Sequence, residues 1–227
     1  MVSILSDRVS HGTSSKGNPI YSFYTQSAIG SAKLEVETSK LFNKWADGFY
    51  EATGNIDLYI KDNDGYRAGS GETGTTEHHT GKVIDLYGQV TSSLPVYNID
   101  DPEYKDVYQW LYNNAYKYGF IHRYPALKHD VTGVENEPYH FRQVGYAHAY
   151  YMFENDLCLE EYLDLLKKDY TAAAPLEFTG DDGNKYIVYY VAAAEGDTTK
   201  LTVPAELEYT VSGDNMGGFI VTVNAGK

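Results

Sequence analysis

The stretch TTEHHTGKVIDLY, residues 75–87, sets two histidines side by side, with a glycine three residues after the first and an aspartate seven after it. Its second half, KVIDLY, is rich in β-branched residues and reads as a strand. Asp85 therefore falls inside an apolar run, and an isolated buried carboxylate is costly. On an uninterrupted strand His78 and Asp85, an odd step apart, point to opposite faces. A turn at Gly81 removes the conflict: His78 then lies on the approaching loop, and Val83 and Asp85 share one face of the strand. Two readings stand. Asp85 is a strand-end acid beside exposed histidines, or a carboxylate and an imidazole share a divalent metal.

A second cluster lies in ENEPYHFRQVG, residues 135–145. Pro138 pushes Glu137 toward an extended conformation, so Glu137 and His140 sit on a fixed hook and not on a helical turn. Taken together, His78, Asp85 and His140 make a three-ligand set of nitrogen and oxygen donors, which matches a catalytic zinc with its fourth position open. Glu137 is left as a general base. A helical HExxH is absent.

The chain of 227 residues is long enough for one sizeable core, or a core with a satellite module. A net charge of -14 argues against nucleic acid as the main partner, because phosphate binding needs basic clusters. No run is long and apolar enough for a membrane span. The start, MVSILSDRVSHG, lacks the apolar core of a signal peptide, so an exported protein would be a mature fragment with an added Met1. The single cysteine, Cys158, forms no intramolecular disulfide and reads as a buried structural thiol among leucines.

Periodicity divides the chain into an irregular N-terminal segment (residues 1–29, with one short strand at IYSFY), a mixed domain (residues 30–170) and a β-rich module (residues 171–227). In the mixed domain Leu34, Leu41, Trp45 and Phe49 form a helical stripe ended by Gly54. IDLYI, FIHRY and HFRQVG read as strands, and ALKHDVTGVENEPY as a loop. A helix begins at the Asp101 cap with Pro102 at its first position and ends at Gly119. Two more helices are expected in YAHAYYMFEN and LEEYLDLLKKDY. Beyond Tyr170, short β runs alternate with turn clusters such as DDGN and SGDN. They predict four or five antiparallel strands that pack on the main domain. The fold class is α+β: a small antiparallel sheet with flanking helices around a zinc site, plus a small all-β C-terminal module.

The segment TEHHTGKVID resembles the SEHxTGLAxD motif of the VanY-like D-alanyl-D-alanine carboxypeptidases, a family of zinc peptidases. NEPYHFRQVG is similar to that family's EPWHFRYVG, WLYNNAYKYGFIHRYP to WLxENAxKYGFxxRYP, and DVTGVENEPYH to xITGYxxEPWH. The likeness covers roughly residues 30–170, and its motifs occur in order. It implies one catalytic Zn2+ held by His78, Asp85 and His140, with Glu137 as catalytic base. His79 falls on a variable position at the rim. Arg67, in DGYRAG, takes the place of a family arginine whose cation steadies the carbonyl oxygen as it becomes an oxyanion. Thr76 replaces a family serine and keeps a hydroxyl for the substrate's terminal carboxylate. The tail resembles β modules appended to some members in Gram-positive gut bacteria.

The resemblance implies hydrolysis of the last peptide bond of a peptidoglycan stem peptide ending in D-alanine, in an extracellular or cell-wall-associated setting. The chain departs from the family after Arg67, where only AGSGETGT precedes the histidine motif. The family's SYxxQ segment, a wall of the substrate cleft, has no counterpart there. Two alternatives follow: L,D-carboxypeptidase action on tetrapeptide stems, or wall binding with weak or no turnover. Tyr139 replaces a tryptophan, and Lys82 an apolar residue, which requires Lys82 to sit at the rim.

Overall fold

The computed structural model describes residues 2–3, 33–55, 58–60, 65–66, 76–89, 96–196, 198–214 and 216–227. The chain divides into two units, Met1–Ala149 and Tyr150–Lys227. The expected short strand at IYSFY lies outside the described residues.

In the first unit β1 (Val2–Ser3) pairs antiparallel with β2 (Lys33–Leu34). Helix α1 (Val36–Thr53) follows. Its N-cap is Glu35, whose carboxylate accepts from the Thr38 backbone at 3.0 Å. It stops at Gly54, which takes the left-handed φ of 67° that favours glycine. The buried stripe is Phe42, Trp45, Ala46 and Phe49, with Leu41 half-buried beside it; Leu34 belongs to the preceding strand. Trp45 is fully buried, stacked on Phe120 at 5.1 Å and edge-on to Phe141 at 5.0 Å. Phe49 stacks on Tyr108 at 5.6 Å. These rings form the core on which the site-bearing strands rest.

Two three-stranded antiparallel sheets complete the unit. One runs β3 (Leu58–Tyr59), β5 (Tyr87–Gln89), β6 (Val96–Asn98); the other runs β4 (Val83–Asp85), β8 (His140–Gln143), β7 (Phe120–His122). The expected single strand KVIDLY is thus two strands in two sheets. The chain changes sheet at the buried Leu86, whose N–H donates to the Tyr139 carbonyl at 2.8 Å. Helix α2 (Lys105–Asn114) begins later than expected. Asp101 caps a turn instead, its Oδ1 accepting from Glu103 N at 3.0 Å. A 3-10 turn, Ala115–Tyr118, ends at Gly119, with φ 77°. A Cβ there would meet the Gly145 backbone at 3.1 Å, so the chain needs glycine for conformation and for close approach. The expected loop after β7 contains a 3-10 turn (Ala126–Lys128) and the short helix α3 (His129–Thr132).

The division between the units falls within helix α4 (Tyr146–Glu154). The second unit thus starts well before the expected boundary after Tyr170. Phe178 explains the difference: it packs against Tyr151 at 5.1 Å and Tyr186 at 5.6 Å, which ties the helical segment to the strands. Helix α5 (Leu159–Asp169) opens on Cys158, whose N–H donates to the Glu161 carboxylate at 2.8 Å. Cys158 is buried. Four antiparallel strands follow, in the order β11 (Glu208–Gly213), β12 (Gly218–Asn224), β10 (Lys185–Ala192), β9 (Leu176–Thr179). Gly183 in the DDGN turn takes φ 81°, and Asp214 in the SGDN turn accepts from Met216 N and Gly218 N at 2.8 Å each. Among the described residues no helix is long and apolar enough to cross a membrane.

Candidate metal centre

The segment before β4 folds as the glycine requires. Residues Glu77–Thr80 make one 3-10 turn, capped at its start by the Thr76 hydroxyl, which accepts from His78 N at 3.4 Å. Gly81 closes the turn with φ 69°. This reverses the chain and brings His78 beside Asp85. On the facing strand His140 lies directly opposite Asp85 in the β4 to β8 ladder. Glu137 reaches the same place on a turn in which His140 N donates to the Glu137 carbonyl at 3.0 Å. That is the hook expected of a Glu-Pro sequence.

The side chains converge. His78 Nε2 is 3.2 Å from Asp85 Oδ2, and His140 Nδ1 is 2.8 Å from Asp85 Oδ1 and 3.4 Å from Glu137 Oε2. His78, Asp85 and His140 are at most 5% exposed, whereas the Glu137 side chain is 33% exposed. A cleft of about 450 Å³ opens on this cluster, walled by Thr76, Tyr87, Tyr124, Val134 and Tyr139. Tyr139 stacks on Tyr87 at 5.3 Å. Lys82 is exposed, as a rim position demands, and His79 is half-buried in the turn. Arg67 lies outside the described residues.

The donor set fits a divalent ion. One ligand atom from each of His78, Asp85 and His140 lies within 4.8 Å of the others. His78 Nδ1 is 2.6 Å from the Gly65 carbonyl. A carbonyl only accepts, so Nδ1 carries a proton and Nε2 faces the Asp85 carboxylate. Two acceptors at that distance repel unless a proton or a metal ion lies between them.

Glu77 is not among the expected site residues, yet it lines the same cleft and joins the cluster. Its carboxylate meets Arg123 Nε at 3.0 Å, the Arg142 guanidinium at 2.9 Å and His140 Nε2 at 3.6 Å. The alternation of β8 puts His140 and Arg142 on one face and Phe141 on the other, in the core, but it does not mark Glu77 itself.

Electrostatics follow the geometry. Burial alone would raise the Asp85 carboxyl, but the contacts with His140 and His78 outweigh it and hold it at about 2. Burial likewise opposes ionisation of Glu77, and His140, Arg142 and Arg123 bring it down to about 2. Burial disfavours the charged form of His140, but Asp85, Glu77 and Glu137 raise it to about 9. In chelator-treated protein, then, His140 contributes stability that is complete below its ordinary value of 6.5 and lost as pH rises through about 9. Asp85 and Glu77 contribute stability that is complete above 3.8 and 4.5 and lost as pH falls through about 2. Urea midpoints of that protein are expected to decline as pH rises from about 6.5 to 9, where His140 loses its proton, and to decline below about pH 6.5, where burial makes the imidazoles of His122 and His148 resist protonation and, further down, Asp85 and Glu77 lose their charge; a midpoint still climbing at pH 8 would contradict this.

The α+β frame brings two imidazoles and a carboxylate to the lining of a cleft, with a second carboxylate beside them, a donor set of the kind that suits a divalent ion. The chain belongs to the VanY D-alanyl-D-alanine carboxypeptidase family, which it matches over residues 22–146, more than half of its length. It is 38% identical over 154 residues to a D-alanyl-D-alanine carboxypeptidase of Enterococcus faecium, a span covering 68% of this chain and 46% of that relative. It is 42% identical over 94 residues to a protein of the same description from Enterococcus faecalis, covering 41% of this chain and 32% of the relative. The chain thus spans less than half the length of these curated relatives. A crystal structure of the vancomycin resistance D,D-dipeptidase VanXYg, in complex with a D-Ala-D-Ala phosphinate analog, shares the fold with a TM-score of 0.72 at 24% identity. That likeness covers 88% of this chain and 85% of the other, so it reaches into the second unit.

Proposed function

We propose that this chain is a zinc-dependent D,D-carboxypeptidase that removes the terminal D-alanine from peptidoglycan stem peptides. The observation that carries the reading is the convergence of His78, Asp85 and His140 at the floor of a cleft with Glu137 alongside. Two nitrogens and one oxygen suit a single zinc with an open position, and membership of the family supports the substrate class.

His78, Asp85 and His140 would hold the ion. When bound, zinc supplies Lewis-acid polarisation of the scissile carbonyl and lowers the pKa of water to about 7. Glu137, exposed to the cleft, accepts the proton of the attacking water and returns it to the leaving amine of D-alanine. The Thr76 hydroxyl lines the cleft and in this reading donates to the terminal carboxylate of the peptide. The same reading gives Arg67 the developing negative charge on the carbonyl oxygen. It also places the protein outside the cell, at the wall where its substrate lies.

The deciding experiment is mass spectrometry of muropeptides after incubation with the zinc-loaded protein, with a chelator-treated sample as control. Loss of one alanine from the pentapeptide alone, abolished by the chelator, is the expected result. Loss from the tetrapeptide would move the specificity to L,D. No loss from either, with zinc bound, would mean that the chain binds and does not cut. Independently, His140→Ala is expected to abolish stoichiometric zinc, read by atomic absorption after dialysis; a fully metallated variant would remove His140 from the ligand set.

A further inference from the structure

Glu77 precedes the first histidine by one residue and stands outside the ligand set, yet its two oxygens do different work. Oε1 takes both cations, Arg123 Nε at 3.0 Å and the Arg142 guanidinium at 2.9 Å. Oε2 faces His140 Nε2 at 3.6 Å, an ion-pair distance and longer than a hydrogen bond. Glu77 Oε2 and His140 Nε2 are both buried, and neither has a hydrogen-bond partner among the described residues.

The consequence lies in how an imidazole binds a metal. A neutral ring keeps one proton, and the nitrogen that holds it cannot be a ligand. The other side of the His140 ring, Nδ1, faces Asp85 and Glu137. We propose that Glu77 is a positioning residue of the metal centre: its Oε2 accepts the Nε2 proton of His140 and so leaves Nδ1 as the atom offered to the ion. This inference rests on the reading of the cluster as a zinc site.

The surroundings make Glu77 a fixed acceptor. Arg142 lies two residues after His140 on β8, so both side chains leave the strand on the same face. Arg123 follows β7, and its backbone N–H donates to the His140 carbonyl at 3.0 Å. Its guanidinium also lies over the Tyr124 ring at 4.5 Å, and that ring packs on His140 at 5.0 Å. Two guanidiniums on one oxygen hold the carboxylate ionised and in place. Its second oxygen is left for the imidazole.

The test compares zinc affinity of the wild-type chain and Glu77→Gln by competition with a chromophoric chelator, and examines His140 of the zinc-loaded wild type by nitrogen-15 NMR. The expected results are binding about 10–100-fold weaker in Glu77→Gln, and a wild-type His140 ligated through Nδ1 with a proton on Nε2. The NMR measurement needs no variant, so a His140 ligated through Nε2 would overturn the proposal even if Glu77→Gln does not fold. Zinc on Nε2 of His140, or equal affinity in the two proteins, would overturn the role of Glu77 and leave the zinc site standing. A wild-type chain that takes up no zinc would overturn the zinc reading itself, and the role of Glu77 with it.

Discussion

Glu137→Ala is expected to lower kcat for release of the terminal residue by a factor of about 10²–10⁴, the usual contribution of a positioned acid-base group, while zinc uptake and KM change little. The separation of these effects comes from how the hook is held. Glu137 N donates to the Tyr124 carbonyl at 3.1 Å, and the Glu137 carbonyl accepts from His140 N at 3.0 Å. His122 Nε2 lies 3.0 Å from the same carbonyl. A carbonyl only accepts, so Nε2 of His122, an imidazole whose pKa burial lowers, is the donor in that contact. The Tyr112 hydroxyl donates to the Pro138 carbonyl at 2.6 Å, and burial raises the phenol far enough that it stays protonated. None of these bonds uses the Glu137 side chain. Removing it leaves the backbone hook, and the His140 that the hook presents, in place. Steady-state kinetics on the pentapeptide, beside a zinc titration of the same preparation, checks the prediction. A variant that loses metal and turnover together would show Glu137 to be a ligand and not a base.

The largest effect on stability is expected at Trp45. Truncation to alanine should cost about 3–5 kcal/mol, the range for emptying a buried large aromatic site, measured by urea unfolding followed by far-UV circular dichroism. The ring is fully buried against Phe42, Phe120 and Phe141, and the two latter sit on β7 and β8. A cavity there removes support from the strand that carries His140, so zinc affinity should fall as well. Trp45→Phe should do far less harm. The indole Nε1 is buried without a hydrogen-bond partner among the described residues, and phenylalanine removes that unsatisfied donor. A Trp45→Ala protein as stable as the parent would mean that the rings of β7 and β8 close over the gap.

Local chemistry made much of this chain legible. Gly54, Gly81 and Gly119 end their elements where the turn grammar of the sequence puts them, because each needs a left-handed φ. The convergence of His78, Asp85 and His140 was legible only in part: a carboxylate inside an apolar strand requires a partner, but the spacing alone left a strand-end acid beside exposed histidines open, and the resemblance of the motifs tipped the reading. The break at Leu86 was not readable. KVIDLY is continuous as a hydrophobic pattern, and only the Tyr139 carbonyl, more than fifty residues away, diverts it into a second sheet. Glu77 was hidden for a similar reason. Its meaning lies in Arg123, Arg142 and His140, which reach it only once β7 and β8 are paired. The second unit shows the same limit: helix periodicity finds α4, but the packing of Phe178 on Tyr151 decides to which unit its end belongs.

Asp85 and His140 are cross-strand neighbours in the same ladder, at the end of a three-rung pairing with Val83 opposite Arg142 and Ile84 opposite Phe141. A slip of one residue in so short a ladder would turn every side chain of one strand to the wrong face. It would also separate Asp85 from His140. A ligand that recognises only the native form stabilises that form by mass action. On the zinc reading proposed above, the centre would therefore also favour the native pairing of the sheet: chains paired in the wrong register would lack the site, and a shortage of metal would lower the folded fraction as well as the activity.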